Sequence, residues 1–304
     1  MPEPPEVSKF VSVIIPVFND AERLKTCLLA LERQTYPKNL YEVIVVDNAS
    51  NESIEDVVSE FAQVKPTYEA CPGSYAARNK GISLAKGEIL AFTDSDCIPA
   101  SDWIENGVKS LLNIPNCGLI AGKIDFFFKN PEKLTPVELY ENIEMRFNQE
   151  LNVQETHFGV TANLFTFKHV IDNVGIFDEK LKSGGDREWG ERVFKAGYQQ
   201  IYADDTCVKH PARNSFSQLY KRTARFEGGK YDLMMRANTS FLKLGISIVY
   251  ALIPPFKAAY EAWQNSELNG NKQKLQFILV IFFVRYIIIT ERMRLYLGGY
   301  SRRE

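Results

Sequence analysis

Glu88-Ile89-Leu90-Ala91-Phe92-Thr93-Asp94-Ser95-Asp96 is the stretch that decides the fold. Its apolar centre has the length and composition of a strand buried on both faces. Two acids flanking one serine then end the run, so both carboxylates leave an apolar core together and face solvent. Such a pair suits a hard divalent cation, which prefers oxygen ligands and keeps waters and phosphate oxygens as well. The competing reading is a solvated acidic turn.

The segments before it repeat the pattern. Val11-Ser12-Val13-Ile14-Ile15-Pro16 reads as a buried strand stopped by Pro16. Asn19-Asp20 offers a helix cap, and Leu24, Leu28 and Leu31 follow at helical spacing. Glu42-Val43-Ile44-Val45-Val46-Asp47 is a second buried strand ending in an acid, followed by a polar turn and a helix from about Ser53 to Phe61. Ala76 to Ala85 forms another helix before the strand that ends at Asp94. Strands alternating with helices imply βαβ units and a mostly parallel sheet, the α/β class. Ligands bind beyond the carboxyl ends of such strands, so Pro16, Asp47 and Asp94 should converge on one crevice.

The 304 residues are 45% hydrophobic and 24% charged, which suits one large domain or one domain with an appendage. A net charge of -2 gives no basic field for nucleic acid. Cys27, Cys71, Cys97, Cys117 and Cys207 form no CxxC and no metal-like spacing, which fits a reduced, intracellular protein. Residues 1–10 lack the basic and apolar regions of a signal peptide and read as a short disordered lead.

In the middle, Gly118 to Phe128 supplies strands, Glu138 to Leu151 reads as one polar helix, and Gly159 to Phe167 as a strand near a sheet edge. Gly184-Gly185-Asp186-Arg187-Glu188-Trp189-Gly190 opens a short helix that Gly197 ends. The last quarter, 231–304, changes character. Phe241 to Phe256 and Leu275 to Thr290 are strongly apolar. Each run is about 16 residues, short of the roughly 20 that cross a bilayer. Lys272, Lys274, Arg292, Arg294, Arg302 and Arg303 flank the second. This fits an interfacial helical hairpin on an anionic membrane surface. The competing reading is two helices packed on the catalytic domain or on a second subunit.

Taken in order, these segments resemble the family 2 glycosyltransferases of the GT-A fold. The matching stretches are Val13-Ile14-Ile15-Pro16-Val17-Phe18-Asn19, Val45-Val46-Asp47-Asn48-Ala49-Ser50, Ala77-Arg78-Asn79-Lys80-Gly81, Thr93-Asp94-Ser95-Asp96 and Gly185-Asp186-Arg187-Glu188-Trp189. The resemblance covers about residues 11–230 and implies a metal-dependent, inverting transferase. It implies a UDP-, GDP- or dTDP-linked sugar as donor, a glycan or lipid-linked acceptor hydroxyl, and Mn2+ or Mg2+.

On the donor side the resemblance assigns Pro16, Asn19, Asp47, Arg78 and Asp94, with Asp47 accepting from a base N–H. For Asp47 the rival role is a turn-forming acid, and for Arg78 a surface ion pair. Asp96 would bind the metal, with His210 as a further ligand or a structural histidine. Asp186 would be the general base, with Glu188 as rival and a helix N-cap as the alternative role. Gly185 departs from the Glu found in many relatives, which puts the neighbouring acid's role in doubt. Thr161, Asn163 and Trp189 would face the acceptor, although a buried aromatic reading of Trp189 stands beside that. Arg222 and Arg225, with Arg213, would close over the diphosphate, or form a solvated or lipid-facing helix face. The Gln-x-x-Arg-Trp signature of processive polysaccharide synthases is absent from Gln218-Leu219-Tyr220-Lys221-Arg222, which favours addition of a single sugar.

The implied site of action is the cytoplasmic, inner face of the cell membrane, on a lipid-linked or cell-envelope glycan precursor. Two other classes compete. Nucleotidyl transfer lacks its glycine-rich phosphate loop here. A catalytically inactive nucleotide-sugar-binding or scaffolding protein would have no need of Asp47, Asp94, Asp96 and Asp186 together.

Overall fold

A computed structural model describes residues 9–145, 147–236 and 241–302. Most of the expected disordered lead at 1–10, and Arg303 of the basic flank, lie outside the described residues. The chain divides into two compact units. The first takes in Met1–Asp125, Phe147–Lys180 and Gly185–His210, the second Phe126–Arg146, Leu181–Gly184 and Pro211–Glu304.

The first unit is built on a sheet of β1 (Val11–Val17), β2 (Tyr41–Asp47), β3 (Val64–Tyr68), β4 (Ile89–Thr93), β5 (Ile98–Pro99), β6 (Cys117–Phe127), β7 (Asn163–Phe167) and β8 (Gln199–Pro211). Their order is β3-β2-β1-β4-β7-β6-β8-β5. The first four are parallel, with Val17 opposite Asp47 and Ile14 opposite Phe92. β7 then pairs antiparallel with both β4 and β6, and β5 with β8. The apolar runs behave as β-branched segments covered on both faces should: Val13, Ile14, Ile15, Val45 and Val46 have no measurable exposure. Each stabilises the fold by roughly 1.5–3 kcal/mol relative to an exposed side chain.

Helices α1 (Ala21–Glu32), α2 (Ile54–Val58), α3 (Ser74–Leu84), α4 (Trp103–Asn113), α6 (Gln149–Thr156), α7 (Lys168–Val174) and α8 (Gly185–Lys195) belong to this unit, with α5 (Pro136–Glu144) in the second. α1 buries Leu24, Cys27, Leu28 and Leu31 on one face, as its spacing predicts.

Local expectations differ in several places, and the helix read from about Ser53 to Phe61 forms only over Ile54–Val58. Pro16 does not stop β1, which continues to Val17. Pro16 lies beyond the last β1–β4 pair, where a missing N–H breaks no ladder bond. Asp20 stands at the N-cap of α1, but its side chain makes no cap bond and turns to Arg23 and Ser95 instead. The single helix expected over Glu138 to Leu151 is two, α5 and α6, because Thr135 and Glu138 form a capping box and Asn148 caps afresh. β7 is interior and not near an edge. Its poor alternation reflects cover on both faces, Asn163 to Thr166 all being buried.

The second unit is helical: α5 with α9 (Phe216–Arg236), α10 (Phe241–Leu252), α11 (Phe256–Gln264) and α12 (Gly270–Tyr296). Its core joins Val137 and Tyr140 of α5, Leu219 of α9, Ala262 of α11 and Phe277, Val280 and Val284 of α12. The second apolar run is not a 16-residue segment. It lies inside a continuous 27-residue helix that is, by length and composition, able to cross a membrane.

Asn163 is the polar pin of the antiparallel half. It is fully buried, accepts from Trp103 Nε1 at 2.8 Å, and donates to the Lys123 and Thr206 carbonyls at 2.7 and 2.8 Å. Removing it orphans three buried groups, each worth roughly 1–3 kcal/mol. Asn163→Ala should therefore lower stability by about 3 kcal/mol or more in urea titration, whereas an exposed control such as Asn51→Ala should cost under about 1.

Candidate active site

The carboxyl ends of β1, β2 and β4 carry the residues that the sequence singles out. At the β1–β2 end, Asn19 accepts from Asn51 N at 2.7 Å and donates its own N–H to Ser50 Oγ at 2.9 Å. Its φ of 50° lies in the left-handed region that Asn tolerates. Asp47 Oδ1 accepts from Ser50 N at 2.9 Å, so one carboxylate oxygen holds the turn. Asn48, buried beside it, accepts from Gly73 N at 2.7 Å and donates to the Glu69 and Cys71 carbonyls at 3.0 and 2.8 Å. Asn48 thereby fixes the loop that leads into α3.

At the end of β4 the chain turns through Asp94-Ser95-Asp96, closed by Cys97 N donating to the Asp94 carbonyl at 3.1 Å. Asp94, Asp96 and His210 each offer one ligand atom, all within 4.8 Å of one another. His210 is buried on β8, with Nε2 3.7 Å from Asp96 Oδ1 and its ring 5.1 Å from that of Phe147. The other oxygen of Asp96 faces Arg23 Nη1 at 3.5 Å, and Arg23 Nε donates to Asp20 Oδ1 at 2.6 Å. Burial raises the Asp20 pKa above its ordinary value against the pull of Arg23. Cys27 and Cys97 lie buried beneath, and burial pushes both thiols up, so they remain neutral packing groups. Two carboxylates and an imidazole form an oxygen-rich donor set that fits a divalent cation.

One turn of α3 joins this cluster to the second acidic centre. Arg78 is buried and ion-paired to Asp94, and its Nε has no hydrogen-bond partner among the described residues. Three residues earlier, Tyr75 presents its hydroxyl to the start of α8: it accepts from Gly185 N at 2.9 Å and Asp186 N at 3.3 Å. The same hydroxyl donates to Asp186 Oδ1 at 3.3 Å. Desolvation raises the Asp186 pKa, opposed by the Arg187 N–H, Arg78 and Tyr75. Asn79, on the same helix, closes a reciprocal pair with Phe177, Nδ2 to O at 2.8 Å and N to Oδ1 at 3.1 Å.

The remaining candidates are placed otherwise. Glu188 is engaged by Arg192 through Nε at 2.8 Å and Nη2 at 3.0 Å, an i,i+4 pair on α8. Trp189 is fully buried and donates Nε1 to the Gly175 carbonyl at 3.0 Å. Asn163 and Thr161 are buried too, and the polar atoms of Asn163 are committed to the core.

Arg222 and Arg225 belong to the second unit. There Arg222 is buried, 4.4 Å from the Phe226 ring centroid, with Nε ion-paired to Glu141 at 3.9 Å and neither Nε nor Nη1 in a hydrogen bond among the described residues. Burial, with Arg213 alongside, lowers its pKa to about 10. Tyr75, Asn48, Asn79 and Arg23 were not among the sequence candidates. For Tyr75 the signal was its i,i+3 spacing from Arg78.

With this geometry in place, the likeness to known proteins becomes specific. The model of glycosyl transferase family 2 matches residues 12–175. The chain belongs to that family. It is 35% identical to the glycosyltransferase AglE of Haloferax volcanii over 94% of its length and 93% of the relative's. It is 23% identical, over 75% of its length and 74% of the relative's, to a Methanococcus voltae enzyme. That enzyme is a dolichyl N-acetyl-alpha-D-glucosaminyl phosphate 3-beta-D-2,3-diacetamido-2,3-dideoxy-beta-D-glucuronosyltransferase.

Among solved structures, the mannosyltransferase PcManGT of Pyrobaculum calidifontis, in complex with GDP-Man and Mn2+, aligns with a TM-score of 0.64 at 19% identity. That alignment covers 97% of this chain and 88% of that one. This family 2 glycosyltransferase therefore has the GT-A fold, a mixed, mostly parallel sheet flanked by helices.

Ion binding tests the Asp-Asp-His set directly. Mn2+ affinity, read by electron paramagnetic resonance of the free ion, should fall at least about tenfold in Asp96→Ala and in His210→Ala. It should remain unchanged in Glu188→Gln.

Proposed function

We propose that this glycosyltransferase moves one sugar from a nucleoside-diphosphate sugar to an acceptor hydroxyl with inversion at the anomeric carbon, and that it requires Mn2+ or Mg2+. The observation that carries the reading is the turn of α3 that ties Asp94, in the ion-binding set, to Asp186 through Arg78 and Tyr75.

Asp186 acts as general base. Its carboxylate takes the proton of the acceptor hydroxyl as that oxygen bonds to the anomeric carbon. The bond from that carbon to the phosphate oxygen breaks on the opposite face, and the nucleoside diphosphate departs. Glu188 is the weaker rival, because Arg192 holds both of its oxygens. Asp94, Asp96 and His210 would hold the cation, which supplies charge neutralisation for the departing diphosphate. Pro16 and Asn19 line the base pocket, where Asp47 keeps one oxygen free of the Ser50 bond to accept a base N–H. Arg78 contributes its unpartnered Nε to the donor. In the second unit, the Arg222 donors that make no hydrogen bond, with Arg225 beside it, suit a phosphate. Thr161 is the acceptor-side candidate retained, since Asn163 and Trp189 are spent on the core.

The acceptor is proposed to be lipid-linked and the protein to work at a membrane surface on the cytoplasmic side. The Methanococcus relative is named for a dolichyl phosphate-linked acceptor. On α12, Leu275, Leu279, Phe282 and Tyr286 form an exposed apolar stripe, and only 22% of its most apolar stretch is buried.

Nucleotide release from UDP-, GDP- and dTDP-sugars, with Mn2+ and with EDTA, tests the reaction. Turnover of one donor should need the ion, and Asp186→Asn should lower kcat by about 10²–10⁴ while donor affinity is kept. Loss of donor binding in every metal condition would overturn the reading. Because the base must be ionised and burial raises its pKa, activity should fall with decreasing pH along a limb above the ordinary aspartate value of about 3.9. Membrane attachment is read by flotation of the full-length protein with phosphatidylglycerol vesicles. Leu279→Asp with Phe282→Asp should reduce the floated fraction severalfold, whereas Lys25→Ala should leave it unchanged.

A further inference from the structure

Tyr75 belongs to none of the motifs that carry the resemblance, yet it is the side chain most closely engaged with Asp186. It is buried, its ring stacks on Phe177 at 5.8 Å between centroids, and the Arg78 guanidinium carbon lies 5.7 Å from its centroid. One hydroxyl then makes three contacts. It accepts the first two backbone N–H groups of α8, Gly185 and Asp186, and donates to Asp186 Oδ1.

Those two N–H groups have no carbonyl within their own helix, as at every helix start. A tyrosine from another helix therefore serves as their cap. The fit leaves no room at position 185: a Cβ built on Gly185 would stand 2.7 Å from the Tyr75 ring edge. Glycine here is the counterpart of the tyrosine, and what it permits is the close approach of Tyr75.

We propose that Tyr75 is a positioning residue for the base: its hydroxyl fixes the start of α8 and the orientation of the Asp186 carboxylate, and Gly185 is the residue that admits it. The inference rests on the assignment of Asp186 as base. The groups facing that carboxylate are the Tyr75 hydroxyl and the Arg78 guanidinium from α3, and the Arg187 backbone N–H on α8 itself. A hydroxyl donating to the ionised form favours ionisation, so its loss moves the titration of Asp186 to higher pH.

Tyr75→Phe keeps the ring, the stacking and the fold while removing the hydroxyl. Two readouts are taken on the full-length protein with the diamagnetic ion Mg2+. The first is the pH profile of nucleotide release from whichever sugar donor of the UDP, GDP and dTDP panel turns over. The second is the titration of the Asp186 side-chain carbon by NMR of aspartate-labelled protein, assigned by its absence in Asp186→Asn.

The expected result is a fall in kcat of about tenfold with donor KM unchanged, and both the acidic limb and the Asp186 titration displaced upward by roughly half to one pH unit. Unmoved limb and titration in Tyr75→Phe would overturn the inference. If Asp186→Asn instead keeps full turnover while Tyr75→Phe still displaces the titration, the base assignment fails and the positioning contact stands. Gly185→Ala should reproduce the kcat loss, and combining it with Tyr75→Ala, which removes the clash, should recover folding stability without recovering turnover.

Discussion

A guanidinium taken out of water must be answered by charge, and the buried Arg78 is answered by Asp94. Taking Asp94 away leaves the guanidinium uncompensated where little water reaches it, which costs several kcal/mol. The pair therefore locks α3 to the carboxyl end of β4. The other side chains of α3 inherit their position from that lock. Tyr75 and Asn79 sit on the same helix, so their hold on Asp186 and Phe177 is fixed relative to Asp94 by helical geometry rather than by loops. If the proposed base and ion-binding set stood on separate flexible segments, they would lose their mutual distance and the near-attack geometry that the proposed general-base step needs.

The same logic of satisfied buried polar groups runs through the first unit. Asn48 consumes three backbone groups of the loop before α3, Asn163 three groups from α4, β6 and β8, and Gln34 joins α1 to the Ala100 carbonyl and the Ile104 N–H. Each amide spans segments that are distant in sequence. Apolar packing alone would tolerate small slips between them, whereas an unsatisfied buried amide would not. The strand ends that carry Asp47 and Asp94 are held in register by polar groups bonded within the fold.

The parallel half of the fold was legible because its signals are local. An all-apolar run ending in an acid, repeated at β2 and β4, states both the strand and the side of the sheet where chemistry lies. The antiparallel half was not. β7 lacks alternation because both of its faces are covered, and a run of that kind reads alike at an edge or in the centre. Asp94, Asp96 and His210 were each identifiable singly, but His210 reaches the pair only because β8 brings it back across the sheet. Asn163 and Trp189 misled for one reason: polar and aromatic side chains near a motif look the same whether they face a ligand or pin the core. Tyr75 was missed because its partner is a backbone N–H 110 residues away.

The second unit shows where patterning carries least information. α12 is apolar nearly all round, so its sequence gives no face to choose. The structure chooses one: Phe277, Val280, Val284 and Ile287 are buried, and Glu291 on that same side is neutralised by Arg294. The opposite stripe, Leu275, Leu279, Phe282 and Tyr286, stays exposed. At about 25 cal/mol per Å2, an apolar stripe of this kind is costly to leave in water. Lys272 and Lys274 lie in the first turns of the same helix, and Lys274 reaches back over the Trp263 ring. An apolar stripe edged by lysines and tyrosines has the polarity gradient of a headgroup boundary, apolar bodies below and cations above. Under the proposal that the acceptor is lipid-linked, a lipid surface would cover this stripe and set the lysines of α12 against anionic headgroups.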